Sequence, residues 1–147
     1  MGKGPYIEYL DSTLEELEHK RWGNMPPNAT TLVKTSYELR KKRLKDYSPE
    51  DLRVMIGQKQ SLKYLIPIAI NFLQQNPFVE GDYYEGDLLQ NVLSCPCEFW
   101  RQHPEYMEDV SRIIIVAKTE MAEIDLDDEI KNKISELIVD FNKCIGS

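Results

Sequence analysis

YSPEDLRVMIGQKQSLKYLIPIAINFLQQNPFVEGDYYEGDLL, residues 47–89, holds a helix start, the longest apolar run of the chain and an acidic, tyrosine-bearing loop between two Gly-Asp pairs. Ser48 is placed as an N-cap, because its side-chain oxygen can accept a free backbone N–H of the first turn. Pro49 follows at the first helical position, where its missing N–H costs nothing, and Glu50 and Asp51 suit the positive end of the helix dipole. Leu52, Met55 and Ile56 share one face, and Gly57 can end this helix. A second helix starts at Ser61. From Leu62 to Leu73 it is apolar on nearly every side, as a helix buried in the middle of a domain is. It is too short for a membrane span, and Lys63 and Pro67 interrupt it. Pro67 removes one backbone hydrogen bond and is expected to kink it. The reading is a central helix over residues 61–75 with the other helices as its cover.

Working outward, the same punctuation recurs. Upstream, Ser12 with Glu15, or Thr13 with Glu16, forms a capping box for a short helix that carries Leu14 and Leu17 and ends near Gly23. Pro26 and Pro27 break the chain, and Thr30 or Thr31 opens a second helix. Its basic end, Arg40 to Lys45, suits the negative pole of a helix or an internal partner for the acidic half of the chain better than nucleic acid, since aromatic residues are not interleaved. Downstream, Asn76-Pro77 stops the central helix, and Asp87 is placed to cap a helix over residues 87–93. Pro96 opens a short helix that brings Phe99 and Trp100 to the core, and Pro104 opens a longer one with Tyr106, Val110, Ile113, Ile114, Ala117 and Met121 on its apolar face. Asp125 caps a last helix in which Ile130, Ile134, Leu137, Ile138, Phe141 and Ile145 recur at three- and four-residue steps. Ile113 to Val116 has strand propensity, but the flanking period is helical. The fold class is all-α: one domain over residues 1–147, about six or seven helices, with residues 1–10 a loose lead-in.

Composition excludes more than it selects. The 147 residues are 41% apolar with net charge −7, and no apolar run has the form of a leader or a membrane span, so a cytoplasmic protein is expected. Three cysteines, an odd number, fit ordinary thiols better than a disulfide framework, and Cys95-Pro96-Cys97 lacks the second pair that a tetrahedral metal site needs. Neither His19 nor His103 has a nucleophile near it in sequence, and no phosphate loop, HExxH or GxSxG motif occurs. Hence no catalytic residue, metal ligand or cofactor is assigned. The charge is uneven. Residues 1–60 carry 11 Lys/Arg against 9 Asp/Glu, whereas residues 61–147 carry 7 against 16. Eight of those acids (Glu80, Asp82, Glu85, Asp87, Glu98, Glu105, Glu108 and Asp109) fall between residues 80 and 109, with Arg101 alone opposing them. Such a field repels nucleic acid directly and attracts a basic partner. Tyr83 and Tyr84 add flat, stiff contact area with a polar tip. These ten residues are the candidate partner-binding set.

The chain resembles a known family in a set of ordered pieces: Leu39 to Lys42, Tyr47 to Leu52, Ile56 to Gln58, Leu62 to Ala69, Glu80 to Leu89, and Phe99-Trp100 followed by His103-Pro104. These pieces span roughly residues 32–110 and are similar to the small helical immunity proteins of bacterial contact-dependent growth inhibition, the CdiI type. The resemblance implies a cytoplasmic inhibitor that binds the C-terminal toxin domain of a delivered effector, often a nuclease, and shields the producing cell. It does not identify the toxin. An acidic protein plugging a basic, phosphate-binding cleft agrees with it on physical grounds. The alternative reading is a helical adaptor or regulatory subunit with no toxin partner.

Overall fold

Most of the helices begin where a side chain or a proline suits the first turn. The computed structural model describes residues 5–146. Thr13 and Ser48 form full capping boxes with Glu16 and Asp51, and Thr30 accepts from the Val33 N–H. Among the described residues there are eight helices: α1 Leu14–Glu18, α2 Thr31–Arg40, α3 Pro49–Gly57, α4 Leu62–Gln75, α5 Asp87–Leu93, α6 Cys97–Gln102, α7 Pro104–Met121 and α8 Asp128–Gly146. A 3-10 turn, Leu44–Asp46, lies between α2 and α3. Among the described residues there is no strand; one isolated antiparallel bridge pairs Glu80 with Glu85. The all-α reading holds, with one or two more helices than the sequence indicates.

Helix α4 is the centre of the molecule because it is apolar over most of its surface, with only Lys63 and Gln75 exposed. Leu65, Ile66, Ala69, Ile70 and Leu73 are fully buried, and the helix runs through the buried Pro67. It packs on α3, α5 and α7. The cover comes in two tiers, since α8 lies on α5 and α6. There Ile134, Ile138 and Phe141 are buried, and the Phe141 ring meets Trp100 edge-on at 5.3 Å.

Several local expectations are corrected. Helix α1 stops at Glu18, not near Gly23, because His19 adopts a left-handed conformation (φ 52°). The last helix is capped by Asp127, whose carboxylate accepts from the Glu129 N–H at 2.9 Å, and not by Asp125. Ser61 precedes α4 in a left-handed conformation without a capping hydrogen bond; its hydroxyl instead donates to Glu18 at 2.8 Å. The lead-in is pinned where it is described. Ile7 is buried, and Tyr9 donates to the Tyr64 carbonyl at 2.7 Å; residues 1–4 lie outside the described residues. The cysteines are not all plain thiols, since the Cys97 and Cys144 sulfurs are joined as a disulfide and Cys95 is the buried free one. Cys144 comes beside Cys97 only because α8 folds back on α6, which spacing along the chain does not reveal.

Three residues of the basic run that begins at the end of α2 are paired internally, with partners from the first half of the chain and not from the acidic second half. Arg40 is 3% exposed and bonds Glu18 at 2.7 Å beneath the Trp22 ring. Lys42 bonds Asp51 at 2.7 Å, and Lys45 lies 3.3 Å from Asp11.

Candidate functional site: an acidic loop clamped to α3

The loop between α4 and α5 is built around a buried carboxylate. Asp87, 1% exposed, is the first residue of α5. Gly86 with its positive φ (+91°) occupies the cap position instead of it. The Asp87 side chain points back under the loop, where it accepts the backbone N–H groups of Gly81 at 2.7 Å, Tyr83 at 3.1 Å and Tyr84 at 3.4 Å. Three N–H groups of the loop thus converge on one side chain, which fixes the loop's backbone at three points. Gly81 is crowded, though its backbone angles are ordinary: a Cβ there would lie 2.7 Å from Glu50 Oε1 and 3.0 Å from Asp87 Oδ2, so both carboxylates would have to shift.

A second clamp comes from α3. Glu50 and Arg53, one turn apart, form a two-pronged ion pair with both bonds at 2.6 Å. Glu50 also accepts the Asp82 N–H at 2.8 Å, which ties the tip of the loop to the helix. The Arg53 hydrogen bonds hold the Glu50 carboxyl below the usual glutamate range, and Glu50 in turn keeps Arg53 charged. The Arg53 guanidinium lies 3.8 Å from Asp87 and covers one face of the Tyr83 ring at 4.0 Å. Tyr83 is 69% exposed, so its other face and its hydroxyl end remain available.

The ten expected residues separate into three kinds. Glu80, Asp82, Tyr83 and Glu85 are exposed on the loop. The bridge between Glu80 and Glu85 puts these like charges opposite one another, and no ion pair with a cation relieves Glu80, Asp82 or Glu85 among the described residues. Asp87 is internal, and Tyr84 is half-buried with its hydroxyl donating to Gln90 at 2.7 Å; both hold the loop in place. The remaining four lie on α6 and α7. Glu98 is exposed on α6, Glu105 lies 3.6 Å from His103, and Glu108 and Asp109 both bond Arg112, at 2.6 and 3.2 Å. Partial burial pushes the Asp109 carboxyl above its ordinary range despite Arg112. This second group is partly neutralised by its own helix; the loop group is not.

Sequence reasoning missed Arg53 altogether and gave Glu50 only a dipole role. The Glu-x-x-Arg spacing in α3 was a readable signal for the ion pair. Nothing local indicated that it would reach Asp82, Tyr83 and Asp87, which lie some thirty residues on. Metal chemistry has no support in the donor set: no group of three or more His, Cys, Asp or Glu among the described residues could hold an ion, and Cys97 is joined to Cys144.

A family model for CDI immunity proteins matches residues 16–110, nearly two thirds of the chain. No curated protein and no solved structure matches it. The matched span runs from α1 through the clamped loop into the first turns of α7, so Glu50, Arg53, Asp87 and the two tyrosines all lie inside it. The chain therefore belongs to the CDI immunity proteins.

Proposed function

We propose that this immunity protein acts in the cytoplasm as a stoichiometric blocker. It binds the C-terminal toxin domain of its cognate effector through the face around Glu80, Asp82, Tyr83 and Glu85, and it catalyses nothing. The observation that carries this reading is the paired Glu80 and Glu85 beside Asp82. Like charges directly opposite one another destabilise a bridge, and here they face solvent with no ion pair to a cation among the described residues. A basic partner removes that repulsion on binding, so part of the electrostatic gain is available only in the complex. Tyr83 supplies the anchor. It is exposed yet already oriented by Arg53, so it loses little freedom when a partner covers it. A toxin domain with a strongly basic face fits this surface, and a phosphate-binding nuclease cleft is such a face.

The two tyrosines provide the test, using the toxin domain encoded immediately upstream. Tyr83→Ala is expected to weaken binding at least about tenfold, mainly through faster dissociation, and to cost only about 0.5–1 kcal/mol of stability, the contribution of its exposed stacking on Arg53. Tyr84→Ala, which loses the bond to Gln90, is expected to cost about 1 kcal/mol of stability and to affect binding less. Titration calorimetry and thermal melts on both variants decide. If Tyr83→Ala binds like the parent protein, the toxin docks elsewhere; if the parent does not bind at all, blocking by direct contact is wrong.

A further inference from the structure

The disulfide between Cys97 and Cys144 joins the start of α6 to the last turns of α8. Cys144 lies outside the span matched by the family model and Cys97 inside it, so the bond ties the C-terminal helix to the family's common part. The Cα atoms are 5.4 Å apart, within the ordinary range for a disulfide, so neither helix has to move for the bond to form or to open. The bond is not the only thing that holds α8: Ile134, Ile138 and Phe141 bury its inner face, and Trp100 meets Phe141 at 5.3 Å. Both cysteines are half-exposed. Cys95, two residues from Cys97, differs on each count. It is buried, its thiol points at the Asn91 carbonyl, and burial pushes it up to about 12, which leaves it protonated and inert.

We propose that Cys97 and Cys144 form a reversible dithiol–disulfide site whose co-substrate is a low-molecular-weight disulfide, and that oxidation there locks α8 onto the rest of the protein. In the forward step one protein thiolate attacks the small disulfide and expels one small thiolate. The second protein thiolate then attacks the resulting mixed disulfide and releases the second small thiol. Two protein thiols become one S–S bond, and the reagent's S–S bond is reduced to two thiols; the same thiols in excess reverse both steps. In a reducing compartment such pairs are usually transient and not permanent staples. The lock has consequences beyond the C-terminus, because α8 also forms the floor of the acidic loop. A Cβ on Gly86 would lie 3.0 Å from Ile134 Cδ1, so the loop rests directly on this helix.

The experiment uses the full-length protein equilibrated with reduced or with oxidised glutathione, then denatured and alkylated. Oxidation is expected to leave one alkylatable cysteine, Cys95, where the reduced protein has three, and to yield a cross-linked peptide pair containing Cys97 and Cys144. It is expected to raise the melting temperature by about 5–10 °C and to slow amide exchange in α8. Cys144→Ser and Cys97→Ser each abolish the shift, and Cys95→Ser retains it. Three alkylatable cysteines after oxidation, a bond that includes Cys95, or a stable mixed disulfide with glutathione each overturns the site. A Cys97–Cys144 bond that changes neither melting nor exchange overturns the lock. None of these readouts involves the toxin, so they stand or fall separately from the binding surface.

Discussion

Glu50 serves three donors with one carboxylate: two nitrogens of Arg53 and the backbone N–H of Asp82. Its role in stability follows from the sign of its shift. The folded carboxyl titrates below the unfolded one, chiefly because Arg53 donates to it. Its contribution is therefore complete above the ordinary glutamate value, about 4.3, and is lost as pH falls through the lower folded value. We expect urea midpoints measured from pH 7 to pH 3 to fall more steeply for the parent protein than for Glu50→Gln, with the two curves converging at the acid end. Parallel curves would show that the ion pair adds nothing to the fold. The acid above its ordinary range, Asp109, works in the opposite direction and flattens the parent curve slightly. At this scale the sequence was a partial guide. It marked Asp87 as a residue that accepts backbone N–H groups, which it does, but assigned it to the helix that follows. The donors come from Gly81, Tyr83 and Tyr84 on the loop before it, and a side chain's direction depends on the turn at Gly86 that no local rule specifies.

The loop is held as an element from two sides, by the α3 clamp above and by α8 below, and Gly86 is where the second support bears. Its φ of +91° is barred to most residues, and a Cβ would sit 3.0 Å from Ile134 and 3.4 Å from the buried Phe78. Gly86→Ala is therefore expected to lose about 2 kcal/mol or more of stability in chemical denaturation, with exchange rising first in the loop and the middle of α8. A neutral result would mean that α8 does not support the loop. Element by element, helices were legible wherever one chain position decides the outcome: Ser48 caps, Pro49 and Pro104 occupy first turns, and Asn76 ends α4. Where neighbouring positions compete the sequence decided less: it left Thr13 and Thr30 open against Ser12 and Thr31, and it took Asp125 and Gly23 where Asp127 caps α8 and a left-handed His19 ends α1. The Cys97–Cys144 bond was not legible at all, because it depends on the return path of α8 and not on any property of the segments around the two cysteines.

For the whole molecule, the question is which part of the net charge of −7 acts on a partner. Counting acids between residues 80 and 109 treats the loop and the α6–α7 group alike. The structure does not, since Arg112 binds both Glu108 and Asp109, whereas Glu80, Asp82 and Glu85, on a clamped backbone, form no ion pair among the described residues. Long-range attraction depends on net local charge, and an acid whose field is cancelled by its own helix steers little. Two triple variants separate the contributions while removing the same formal charge. Neutralising the loop with Glu80→Gln, Asp82→Asn and Glu85→Gln is expected to slow association with the toxin domain roughly tenfold at low salt and to flatten its salt dependence. Neutralising the helices with Glu98→Gln, Glu105→Gln and Glu108→Gln is expected to slow it by less than about threefold. Stopped-flow association rates at two ionic strengths, with circular dichroism to verify the fold, give the comparison. Equal losses would mean that only the overall charge of the acidic half matters. A larger loss from the helix variant would move the binding face onto α6 and α7 and leave the clamped loop as architecture.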